Sequence, residues 1–125
     1  MLLGCKDSTS EAEKEVKLAF LGESEKNPAF DRFEIRNFSS LSYICYMVED
    51  SVLIYEMLVK EGDSWEKYPT YFEGLNTIKV VIKKKSRLSF DVFPPAGKKE
   101  YRVGVNLFQS EYSPALQVWS DPVGR

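Results

Sequence analysis

The 125-residue sequence has no histidine, only two cysteines, and no apolar run near the roughly 18 residues a membrane span requires. Without histidine there is no Ser-His or Cys-His nucleophile pair and no zinc-histidine site. Two cysteines are too few for a disulfide framework. The 17 Lys and Arg against 19 Asp and Glu leave a formal charge of −2, so no global field draws the chain to nucleic acid or to an anionic membrane. There is no Gly-rich phosphate loop, no Gly-x-Ser-x-Gly elbow, no Cys-x-x-Cys and no Asp-x-Asp-x-Asp-Gly calcium loop. Glu49-Asp50 reads as a solvated hairpin turn rather than half of a carboxylate pair. These absences point away from catalysis, and neither a cofactor nor a metal is expected.

What is present suits one domain with a proper core: 43% hydrophobic, 14% aromatic and 29% charged residues. Val16, Leu18 and Phe20 alternate with polar or smaller neighbours, as do Phe33 and Ile35 with Arg32, Glu34 and Arg36. Period-two alternation returns at Ile78-Val80-Ile82, Leu88-Phe90-Val92, Tyr101-Val103-Val105-Leu107 and Leu116-Val118. Such runs, bounded by Asn37-Phe38-Ser39-Ser40, Lys84-Lys85-Ser86, Pro94-Pro95-Ala96-Gly97 and Ser113-Pro114, are antiparallel strands buried on one face. Residues 42–48 and 52–59 are nearly continuous apolar runs and read as central strands, although the pattern alone also allows a helix for the second. The expected fold is an all-β, two-sheet antiparallel sandwich of seven to nine strands spanning residues 16–125.

Residues 1–15 are expected to form a polar tether. Ser10 with Glu13 could cap a short helix, but helices of that length are marginal in water, and a tether followed by an edge strand from Val16 is preferred. Cys45 lies in the β-prone run Tyr43-Ile44-Cys45-Tyr46-Met47 and reads as a small buried hydrophobe. A Cys5–Cys45 bridge would tie the tether to a strand and is disfavoured. Leu2-Leu3-Gly4-Cys5 resembles the end of a bacterial lipobox, in which the cysteine receives lipid. Only four residues precede Cys5, against the apolar stretch of roughly 7–15 residues that a signal sequence carries.

Tyr101-Arg102-Val103-Gly104-Val105-Asn106, then a loop, then Val118-Trp119-Ser120-Asp121-Pro122-Val123, resembles the last hairpin of fibronectin type III and related immunoglobulin-like domains. A longer pattern resembles uncharacterised bacterial envelope proteins of lipoprotein type. It joins Val16–Gly22, Phe33–Ser40, Gly62-Asp63-Ser64-Trp65, the strand Leu88–Val92 with its trailing Pro pair, and the final hairpin. The buried Trp and paired Cys of antibody domains are missing. The resemblance implies an immunoglobulin-like fold on a cell envelope, membrane-anchored through Cys5, and no assigned chemistry.

Several aromatics fall on the outward phase of their strands: Phe93, Phe108 and Trp119, with Tyr43 or Tyr46 undecided. Phe108 and Trp119 belong to neighbouring strands, so with Tyr112 near the turn they are the candidate protein-binding patch. The opposing reading is that they pack under loops or beneath the first strand. Trp65 is expected to plug the core beneath its turn. Lys83-Lys84-Lys85 and Lys98-Lys99 read as solvated turns rather than a nucleic-acid footprint. Two functions follow: a non-catalytic envelope-displayed binding or spacer module contacting protein through the C-terminal hairpin, or an intracellular accessory or inhibitor protein with no lipid.

Overall fold

A computed structural model describes residues 15–49, 52–70, 72, 76–97 and 100–124. The expected tether, including Cys5 and the Ser10–Glu13 cap, lies outside the described residues apart from Glu15. Among those described only Glu15 is helical, and eleven strands run in order. They are β1 (Val16–Glu23), β2 (Asp31–Asn37), β3 (Tyr43–Glu49), β4 (Val52–Leu53), β5 (Glu56–Glu61), β6 (Ser64–Tyr68), β7 (Ile78–Ile82), β8 (Ser86–Val92), β9 (Glu100–Leu107), β10 (Leu116–Trp119) and β11 (Val123–Gly124). Nine have four residues or more, matching the expected count; β4 and β11 are two-residue pairings, and β4 falls within the apolar run 52–59.

All pairing is antiparallel. One sheet has the order β1-β2-β8; a five-stranded sheet has the order β10-β9-β5-β6 with β11 also on β9; a third has the order β4-β3-β7. Ile44 and Phe108 exchange backbone hydrogen bonds of 2.6 and 2.9 Å, so the third sheet continues the second past the end of β9. The result is an all-β sandwich with two walls.

Alternation in the sequence becomes most of the core, but Phe20 and Ile78, expected on buried faces, are 45% and 62% exposed on the edge strands β1 and β7. Phe33 and Ile35 on β2 and Phe90 and Val92 on β8 are fully buried, as are Tyr101, Val103, Val105 and Leu107 on β9. Contact between the walls is aromatic: Phe33 lies 6.1 Å from Phe90 within its own sheet and 6.2 Å, edge-on, from Tyr101 of the other. The Tyr101 hydroxyl donates to the buried Asp31 carboxylate, so a polar tie joins the sheets beside that aromatic contact. Removing a ring of this kind costs about 3–5 kcal/mol, because the cavity cannot collapse.

The run 52–59 is a strand region, but a broken one. Val52-Leu53 pairs with β3, the chain crosses at Ile54-Tyr55, and β5 begins at Glu56 in the next sheet. Its side chains alternate between buried (Leu53, Tyr55, Met57, Val59) and half-buried (Ile54, Glu56, Leu58), so only one face belongs to the core. The turn after β2 is held by a buried side chain. Asn37 Nδ2 donates to Leu41 O at 2.8 Å and Lys83 O at 3.1 Å, while its Oδ1 accepts from Ser39 N at 3.0 Å and Ser39 Oγ at 2.6 Å. Cys45 is 1% exposed and unpaired, as the small-hydrophobe reading expects. Burial pushes its thiol up to about 12, which makes it a poor nucleophile near neutrality.

Candidate functional site

The outward face of the five-stranded sheet is built by the residues left over when β9 and β5 turn their apolar phase inward. On β9 these are Arg102, Gly104 and Asn106; on β5 they are Glu56, Leu58 and Lys60. Register then fixes their neighbours. Trp119 of β10 stands opposite Gly104, which stands opposite Glu56. Lys60 stands opposite Trp65 of β6, and Leu58 opposite Lys67.

Gly104 has no side chain, and Trp119 fills the space. A Cβ at Gly104 would sit 2.7 Å from the Cδ2 and Cε3 atoms of the indole, so only glycine lets the ring lie across β9. An aromatic side chain over a cross-strand glycine shields backbone that would otherwise face water. The Arg102 guanidinium lies 5.8 Å from the Trp119 ring centroid and 5.9 Å from that of Trp65. Lys60 Nζ is also 5.9 Å from Trp65. Arg102 Nε donates to Ser120 O at 3.0 Å, which holds the guanidinium in place. Each cation–π contact is worth about 0.5–1 kcal/mol at a partly exposed position.

Above this stack sits a polar cluster. Glu56 Oε2 accepts hydrogen bonds from Gln117 Nε2 at 2.6 Å and Asn106 Nδ2 at 3.2 Å. Two depressions flank Glu56. One of about 470 Å³ is lined by Leu58, Lys67, Tyr68, Thr70, Gln117 and Trp119, among others. The other, about 210 Å³ and mostly apolar, is lined by Tyr46, Ile54, Tyr55, Asn106 and Phe108 with Glu56 and Gly104. Among the described residues no group of three or more Cys, Asp and Glu is arranged to hold a metal.

Of the residues singled out by sequence, Phe108 and Trp119 both lie half-buried on this face. They line different depressions: the Phe108 ring packs edge-on against Tyr46 at 6.1 Å, whereas Trp119 covers Gly104. Tyr112 is 95% exposed in the turn between β9 and β10 and makes no ring contact among the described residues. Cys5 lies outside the described residues. Tyr46 is the outward tyrosine and Tyr43 the buried one. Phe93 belongs elsewhere, exposed past the end of β8 and edge-on to Phe30 at 5.4 Å.

Trp65 is not a core plug. Gly62-Asp63 form a two-residue turn, with Gly62 at φ 64°, which places Trp65 opposite Lys60 and therefore outward. That placement was readable, because Met57 and Val59 take the inward phase and leave Lys60 outside. Glu56 and Gln117 carried no such signal, since their hydrogen bond joins residues whose strands are not neighbours. No model of a known protein family matches the sequence, and no curated protein matches it.

Proposed function

We propose that this protein is a non-catalytic, immunoglobulin-like binding module displayed on a bacterial cell envelope, anchored through lipid on Cys5, which contacts a protein partner with the outward face of its five-stranded sheet. The observation that carries the reading is the stack of Trp65, Arg102 and Trp119: two indoles and a guanidinium, half-buried on a sheet face. Tryptophan and arginine are the side chains that most often dominate protein interfaces, because they bring large area and fixed geometry at low conformational cost. Strand order supports the immunoglobulin-like part. The first two strands pair with a late one in one sheet, and the last long strands pair with middle strands in the other, as in that class of sandwich. The lipid anchor rests on Leu2-Leu3-Gly4-Cys5 and the polar segment that follows it.

The test places a photoreactive phenylalanine analogue at Leu58, on the proposed face, or at Lys17, on the outward face of β1. Irradiation of cells making each variant is expected to give a discrete cross-linked protein from Leu58 and none from Lys17. Equal cross-linking at the two positions would remove the face from consideration. Labelling with an alkyne fatty acid, lost in Cys5→Ser, tests the anchor; label retained in that variant would count against it.

A further inference from the structure

Resting on that reading of the face, we infer that Arg102 is the receptor for a carboxylate of the partner, and that the partner segment is an extended peptide carrying a large apolar residue four positions from its acidic one. Arg102 has no carboxylate partner among the described residues. Its Nε is engaged by Ser120 O, and among the described residues its two terminal nitrogens have no hydrogen-bond partner beside the indoles that hold it. A guanidinium presents its fork to a carboxylate in a bidentate geometry, and one already immobilised loses little freedom on binding.

The face's own carboxylate does not answer this charge. Glu56 is one strand away and accepts from the amides of Asn106 and Gln117 instead. Lys67 is exposed at the edge of the larger depression and makes no ion pair among the described residues. Lys60 has only a loose pairing with Glu100 at 3.9 Å. Arg102 and Lys67 are thus the cations of this face that no carboxylate answers among the described residues, and they favour an acidic complement.

The smaller depression supplies the second half of the recognition. Its walls are Tyr46, Ile54, Tyr55 and Phe108, and its volume of about 210 Å³ accommodates one aliphatic or aromatic side chain. It is centred near Asn106, four residues along β9 from Arg102, a spacing of about 13 Å. An extended peptide running alongside β9 repeats at the same rise, and its residues four apart point the same way. A free phosphate or sulfate would satisfy Arg102 but leave the apolar depression empty, so an acidic peptide fits the face better.

The probe is a blocked nine-residue Ser/Thr peptide with glutamate third and leucine seventh. The readout is the pair of indole N–H resonances, since the chain has two tryptophans and both lie in the stack. Both resonances are expected to move saturably, with a dissociation constant of the order of 1 mM. Glutamine for glutamate, or serine for leucine, is expected to weaken binding about tenfold. Arg102→Gln should abolish the response with the amide spectrum otherwise preserved, and Arg102→Lys, keeping the charge but not the fork, should recover part of it. Acetate or inorganic phosphate that moved the indoles as effectively as the peptide would overturn the peptide assignment in favour of a generic anion site. No response to the peptide, or an unchanged response in Arg102→Gln, would overturn the role of Arg102. The Leu58 cross-link separates the two ideas: kept undiminished in Arg102→Gln, it leaves the face standing without its carboxylate receptor; absent from the wild-type chain, it sinks the face itself.

Discussion

The two outward faces of the sandwich use charge in opposite ways. On the β1-β2-β8 sheet, Arg32 pairs with Asp91 at 3.1 Å, and Glu34 takes Arg36 at 2.8 Å and Arg87 at 3.6 Å. Cation and anion lie side by side on neighbouring strands, or two apart on the same one, and every carboxylate of that outward phase is answered in the plane of the sheet. On the β10-β9-β5-β6 sheet Arg102 and Lys60 lie over indoles, Lys60 with only a loose pairing to Glu100 at 3.9 Å, and the central carboxylate is answered by amides. A face whose charges are matched internally gains little from a partner, because any new contact must displace an existing one. A face whose guanidinium is stacked but unmatched keeps its hydrogen-bonding capacity for something else. Both are built on the same alternating pattern, so the distinction lies in what fills the outward phase.

The largest effect is expected from the core that the two faces share, and it sets the baseline for comparing them. The Cys45 thiol is pushed up to about 12 in the folded protein, against about 8.5 in an unfolded chain. Between those values the unfolded state loses a proton that the folded state keeps, so stability is full below about pH 8.5 and falls by roughly 1.4 kcal/mol per pH unit above it. Urea unfolding at pH 7 and pH 10.5 should show a loss of about 2–3 kcal/mol that Cys45→Val reduces. An equal loss in the variant would mean that other groups carry it.

Next comes the aromatic face. Gly104→Val should cost about 1–3 kcal/mol, since its side chain meets the Trp119 ring and must displace it. Near-ultraviolet circular dichroism should change with it, and Ser89→Val on the opposite wall should do neither.

A smaller pair of effects separates the two arginines. Arg32→Ala leaves the Asp91 carboxylate, whose side chain is only 9% exposed, without its partner, at an expected cost of about 1–2 kcal/mol. Arg102→Gln strands no carboxylate and should cost less than about 1 kcal/mol in the same chemical denaturation measurement. The reverse order would erase the distinction between a matched and an unmatched face. Smallest of all, Glu34→Gln should cost about 0.5 kcal/mol and remove part of any salt dependence of stability contributed by this wall.

Much of the fold is legible in the sequence because alternation is a local property. Tyr101, Val103, Val105 and Leu107 announce their burial by spacing alone, and all four are buried. Alternation also tells which residues face outward, and it places Phe108 and Trp119 on one side of the hairpin. It does not give register across a long connection. The turn between β5 and β6 is two residues, so Trp65 could have been paired with Lys60 by counting. The loop between β9 and β10 is longer, and the meeting of Trp119 with Gly104 cannot be counted. Buried polar groups are the other blind spot. Asp91 sits in the outward phase yet is 8% exposed, because Arg32 folds over it. Asn37 reads as turn chemistry, whereas its amide also reaches Lys83 O, forty-six residues away.

The register of the aromatic face also orders its assembly in time. Trp119 and Gly104 belong to strands joined by a single loop, a contact that a nascent hairpin closes on the microsecond scale. Trp65 and Arg102 belong to β6 and β9, which share no hydrogen bonds and are held apart by β5, so their approach must wait for β5 to dock on β9 across some forty-five residues. Pairings of that sequence separation dominate the refolding time of all-β chains, typically milliseconds to seconds. The guanidinium is therefore expected to gain its first indole early and its second only as the sandwich closes. Stopped-flow tryptophan emission should divide accordingly, with Trp65→Phe deleting the slow component and Trp119→Phe the fast one.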